Sequence, residues 1–258
     1  MSYSQITRIT AHRPWPLPSG PWIMRQRWHN LLFAHWPVPV ETMRALVPPQ
    51  LQLDTYEGMA WVGVVPFGMS DVAPRFVPAI PWLSAFPELN VRTYVTAPAP
   101  LGADPTVSKP GVYFFSLDAA NPIAVAAARK IFKLPYYQAT MRLTKQDDHI
   151  DYMSHRTHRN APPADLEASY APTGDVYTSR WGSRDHWMTE RYCLYTTSRE
   201  QLYRAEIHHV PWPLQPATAE FSINTMAAAV GISLPPHEPI LHFARRQDVI
   251  VWPLTKVH

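Results

Sequence analysis

Apolar and polar positions alternate most cleanly over residues 88–95. There Leu89, Val91, Thr93 and Val95 point one way, and Glu88, Asn90, Arg92 and Tyr94 point the other. This pattern predicts a strand with one apolar and one polar face. Residues 28–36 form an apolar, aromatic run before Pro37 and Pro39, which reads as a buried strand. A short helix over 41–46 stops at Pro48-Pro49, and a strand, turn and strand span 51–54, Tyr56-Glu-Gly58 and 59–67. Residues 112–118 read as another strand. The helix after it is the best signalled: Asn121 can cap, Pro122 suits the first helical position, residues 123–132 carry no breaker, and Pro135 ends it. Further on, 136–143 with 150–156 predict a hairpin, 160–174 a polar loop, and 190–196 with 202–209 a strand pair. Residues 223–230 predict a helix, and 240–244 with 249–252 a last pair. The stretch 97–110 reads as loop. The sum is a mostly β (α+β) chain: a proline-rich arm over 1–27 packed on the surface of one β-rich domain over 28–258. The sheet is expected to be antiparallel and closed or nearly so, with helices outside.

Composition narrows this picture. Among 258 residues, 46% are hydrophobic and 17% charged, enough to fill one large core and too apolar for a disordered chain. The 29 prolines against 9 glycines favour short strands joined by stiff turns. The net charge of +3 is mild and the basic residues are scattered, so nucleic acid is not expected as a partner. No segment has the length of a signal peptide core or a membrane span, so a membrane is not expected either. A single cysteine, Cys193, rules out an intramolecular disulfide and favours the cytoplasm. It lies in an apolar run and reads as a core thiol.

No standard nucleotide, hydrolase or metal motif occurs, so chemistry must come from constellations. Glu88, Asn90, Arg92 and Tyr94 share a face that is the wet side of an open sheet or the polar lining of a closed one. Phe114, Ser116 and Asp118 would share a face of their strand, Asp118 also suiting the start of the following helix. His208 and His209 are neighbours on a strand and cannot enter one site. Glu190 and Tyr192 go together while Arg191 points elsewhere. No metal and no cofactor are called for.

These pieces meet a family pattern. His35-Trp-Pro-Val-Pro39, Trp61-Val-Gly-Val-Val-Pro-Phe67, Phe86-Pro-Glu-Leu-Asn-Val-Arg-Thr-Tyr-Val95, Gly111-Val-Tyr-Phe-Phe-Ser-Leu-Asp118, Ala128-Arg to Leu134-Pro-Tyr-Tyr137 and Thr189-Glu-Arg-Tyr-Cys-Leu-Tyr195 resemble the YqjF-like family of the acetoacetate decarboxylase-like superfamily. The resemblance implies an antiparallel conical β-barrel with a few short peripheral helices and a small-molecule pocket inside. It implies that Glu88 lines the pocket, that Arg129 belongs to the helix beside it, and that Tyr136 and Tyr137 stand where the decarboxylases carry a lysine pair. Tyrosine forms no imine, and its neutral phenol donates a hydrogen bond or a proton instead. Glu88, Tyr136 and Tyr137 are thus the candidate catalytic groups, and Asn90, Arg92, Ser116 and Arg129 the candidate binding groups. The partner expected is a small, oxygen-rich organic molecule, and a homo-oligomer is left open. Three readings stay open: an acid–base or lyase-like enzyme, a non-catalytic binder, and a decarboxylase or aldolase using Lys130 or Lys133.

Overall fold

The computed structural model describes residues 3–98 and 108–257. Most of the predicted loop at 97–110 therefore lies outside the described residues. The elements in chain order are α1 (Tyr3–Ile6), β1 (Met24–Val38), α2 (Val40–Leu46), β2 (Gln52–Leu53), β3 (Ala60–Pro74), β4 (Phe86–Thr96), β5 (Gly111–Ala119), α3 (Pro122–Ile131), β6 (Tyr136–Gln146), β7 (His149–Arg156), β8 (Asp165–Pro172), α4 (Arg184–Thr189), β9 (Cys193–Ser198), β10 (Gln201–His208), β11 (Leu214–Asn224), β12 (Ile240–Val251) and β13 (Thr255–Lys256). None of the described helices is long and apolar enough to cross a membrane.

β1, β3, β4, β5, β6, β7, β8, β11 and β12 close into a nine-stranded barrel. Two of its strands fork. β5 pairs with β6 through Leu117–Ala119 and with β9 through Val112 and Tyr113. β12 pairs with β11 through 242–244 and with β10 through Ile250 and Val251. The fork closes a second, smaller ring, β1-β3-β4-β5-β9-β10-β12, against the outside of the first. Both pairings of β5 across the fork are parallel, so the sheet is mixed rather than wholly antiparallel. Parallel neighbours need a long crossover, and α3 supplies the one between β5 and β6.

β4 is one of the strands common to both compartments, and its alternation assigns each face. Leu89, Val91 and Val95 join the main apolar core with Ile150, Tyr152, Leu166 and Tyr170 of β7 and β8. Glu88, Asn90 and Arg92 face the smaller compartment. Neither face is wet: Glu88 is 4% exposed and Arg92 9%.

Several predicted elements are corrected. Residues 214–224 are strand β11, and only Ala228–Val230 make a 3-10 turn, so the helix predicted over 223–230 does not form. The predicted loop 160–174 contains β8, whose half-buried pattern is hidden by small and polar side chains. The two segments predicted at 240–252 are one strand, β12, paired along its length with β1. β2 and β3 do not pair with each other; β2 pairs with β4. β1 begins at Met24, inside the stretch read as arm. The arm itself is anchored by buried residues: Ile6, Arg13 and Trp15 are all covered. Arg13 Nη1 donates to the Ile207 carbonyl at 2.8 Å and Trp15 Nε1 to Glu206 Oε2 at 2.9 Å.

Candidate functional site

The smaller compartment holds a cavity of about 210 Å³. α3 forms one side of its mouth. Asn121 Oδ1 caps this helix by accepting from the Ile123 and Ala124 amides at 3.0 and 3.1 Å. The cap fixes the helix so that Ala124, Ala127, Ala128 and Ile131 turn toward the cavity. Trp28, Phe67, Phe86, Phe114 and Leu117 make most of the remaining wall, so the lining is chiefly apolar.

Polar groups occupy two stations along it. At one of them, Tyr136 Oη donates to Glu88 Oε2 at 2.9 Å. Burial pushes the Glu88 carboxyl up to about 8; the Tyr136 hydrogen bond opposes this and the Asp118 charge adds to it. Burial, then the Glu88 charge, pushes the Tyr136 phenol well above its ordinary value. Both shifts favour the neutral forms, a phenol beside a carboxyl whose ionisation burial opposes.

Farther along β4, four residues or ~13 Å from Glu88, stands Arg92. Its guanidinium lies 5.1 Å from the Phe33 ring centroid and 5.8 Å from that of Tyr94. It has no ion pair among the described residues, and its Nε has no hydrogen-bond partner. Arg191 stacks on the same Tyr94 ring at 4.7 Å. Its Nη1 reaches Asp54 and its Nε donates to the Trp187 carbonyl at 2.7 Å, but Nη2 is buried and unpartnered. Trp212 Nε1 and Asn90 Oδ1 are also buried without partners. All four residues line the cavity. Buried polar atoms are nearly always satisfied, so these unpartnered donors on residues of the wall make this end of the lining the candidate site for a ligand oxygen. His209 completes the wall; burial brings its pKa down to about 4, so it is neutral.

A family model of uncharacterised conserved proteins, DUF2071, matches residues 25–248. The chain belongs to this family. The DUF2071 chain is 51% identical over 240 residues to the uncharacterised protein YqjF of Bacillus subtilis (strain 168), covering 93% of this chain and 95% of that one. Among solved structures it is similar to an acetoacetate decarboxylase from Legionella pneumophila, with TM-score 0.58 and 15% identity over 98% of this chain and 95% of the other. It is also similar to the enduracididine biosynthesis enzyme MppR, with TM-score 0.61 and 10% identity over 95% and 90% of the two chains. Identities this low establish the acetoacetate decarboxylase-like barrel and leave the chemistry to the site.

Of the residues singled out from the sequence of this DUF2071 chain, Glu88, Asn90, Arg92 and Tyr136 are brought together in the cavity. Tyr137, Ser116 and Arg129 are not. β6 begins at Tyr136, and successive strand residues face opposite ways. Tyr137 therefore turns to the opposite side of β6, where it is half-buried and Arg156 covers its ring at 4.3 Å. Ser116 is displaced by a β-bulge. Arg92 opposes Phe114 and Val91 opposes Ser116, which leaves Phe115 as the extra residue. The bulge reverses the alternation: Phe114 lines the cavity, while Ser116 and Asp118 turn into the barrel, where Asp118 pairs with Arg156 at 2.7 Å. Arg129 lies on the exposed side of α3, its Nη1 donating to the Tyr136 carbonyl at 2.6 Å.

Sequence reasoning missed Arg191, His209 and Trp212. Arg191 had a usable signal, a lone cation between Glu190 and Tyr192 and facing the other way. No lysine lines the cavity; Lys130 is exposed on α3 and Lys133 Nζ sits 5.2 Å from the Tyr203 ring outside it.

Proposed function

We propose that this protein acts on a small organic anion by acid–base chemistry without a Schiff base. Arg92 and Arg191 bind the anionic oxygens, with Trp212 Nε1 as a further donor. Asn90 orients the middle of the molecule, and the Glu88–Tyr136 pair gives or takes a proton toward the mouth. The Arg92 guanidinium carries the reading. A buried cation without a counter-ion is costly to keep, and an anionic ligand would remove that cost. A neutral carboxyl in the same cavity suits general acid work, because a group titrating near the working pH transfers protons best. This reading gives no role to Tyr137, Ser116 or Arg129, and the distance of Lys130 and Lys133 from the lining argues against an imine. The lone cysteine suits a reducing compartment such as the cytoplasm.

The chiefly apolar lining favours a second reading, a non-catalytic binder using the same anion site. Incubating wild type and Glu88→Gln with a metabolite extract separates the two. The first reading expects a compound consumed by wild type and spared by Glu88→Gln. Equal consumption by both would exclude Glu88 from the chemistry, and a ligand retained unchanged by both would leave binding alone.

A further inference from the structure

The cavity is larger and more apolar than an anion and a proton require. A dry cavity of about 150 Å³ takes one benzene ring, and this one measures about 210 Å³. At water's share of ~30 Å³, roughly seven non-hydrogen atoms fit inside. The orphan donors gather beside Phe33, Tyr94 and Trp212, at one end. Between them and the mouth the wall is Trp28, Phe67, Phe86 and Phe114. The apolar surface does not stop at the mouth. Ile131 of α3 lines the cavity and is still 58% exposed. Val72 and Phe86, at the two ends of the β3–β4 connection, also line it, and that connection leaves Phe76 87% and Trp82 71% exposed. An apolar cavity wall that includes the exposed Ile131 and the residues flanking a connection with exposed aromatics marks a surface that something apolar covers.

We propose that the ligand is a medium-chain or aryl-substituted carboxylic acid. Its carboxylate sits on Arg92 and Arg191, and its apolar body runs outward past Phe114 and leaves between α3 and the β3–β4 connection. This rests on the reading of Arg92 and Arg191 as the anion site, and it adds the class of molecule attached to that anion. A short acid would satisfy the guanidinium groups and leave the aromatic wall and the mouth uncovered.

Trp28 and Trp212 both line the cavity, so intrinsic tryptophan fluorescence reports occupancy. Titration of the full chain with acetate, butanoate, hexanoate and octanoate tests the proposal. Affinity is expected to rise about fourfold per added methylene. The octanoate-to-acetate affinity ratio is expected to fall about tenfold or more in Ile131→Asp, which places a charge on the path of the chain. Arg92→Met is expected to lose binding of every acid. Affinity that is flat with chain length but still lost in Arg92→Met overturns the apolar body and leaves the anion site standing. If no acid binds wild type, or if Arg92→Met binds as wild type does, the anion site fails and the proposal with it.

Discussion

Glu88 shows how far the surroundings of one side chain move its chemistry. Its pKa of about 8 in the folded protein lies above the ordinary value of 4.5, with burial as the main cause. Between these values the folded state holds a proton that the unfolded chain has released. The stability this confers is fully present below about pH 4.5, declines as pH rises, and is gone above about 8. Glu88→Gln keeps an acceptor for the Tyr136 phenol and removes the titration. Urea unfolding between about pH 5 and 9 should show the variant losing less stability than wild type, by a few kcal/mol at most. Parallel curves would mean that Glu88 is ionised in the fold. The comparison must be a difference, because Asp118 and Glu190 are shifted in the same direction by burial. The residue's face was legible in the sequence, since period-two alternation put Glu88, Asn90 and Arg92 together. Its protonation was not, since the alternation is the same whether that face meets water or a closed compartment.

At the scale of elements, the smaller ring depends on the junction of β5 with β9. A Cβ on Gly111 would lie 2.7 Å from both the Cys193 carbonyl oxygen and Sγ. Backbone at that distance cannot give way as a flexible side chain would. Gly111→Ala should therefore cost about 1–3 kcal/mol, read as a lower urea midpoint. It should also loosen the cavity wall at Val112 and Leu194, which line it. An unchanged midpoint would show that β5 need not approach β9 so closely. The junction with β6 rests on different contacts, with Asp118 and Arg156 as a buried ion pair between β5 and β7. α3 was legible because its signals are local: an Asn cap, a Pro at the first position, a Pro beyond the end. β8 and β11 were not, because long-range pairing stabilises them and their own sequences carry no strong propensity.

For the whole molecule, the forked sheet decides which residues share a space. The nine-stranded barrel takes Ser116 and Asp118, Tyr137 turns to Asp118's side of the sheet, and the smaller ring takes Tyr136, Glu88 and Arg92. Residues one apart in sequence thus turn to opposite sides of the sheet. The lysines are outside both, which leads to a test of the entire chain. Borohydride reduction in the presence of a keto acid should yield no lysine adduct by peptide mass mapping. An adduct on Lys130 or Lys133 would reopen imine chemistry.

The sequence by itself determined the mostly β class, the membership implied by its motifs, the capped helix α3 and the shared face of Glu88, Asn90 and Arg92. Each of these is written in local periodicity or in a run of adjacent residues. Only the tertiary structure decided that Tyr136 and Tyr137 part company, that a bulge turns Ser116 away, and that Arg191 and Trp212 join Arg92. These outcomes depend on where a strand begins, on one extra residue against a partner strand, and on contacts between segments about a hundred residues apart. A single strand's sequence holds no record of its partner's register, so this information arises only when the sheet closes.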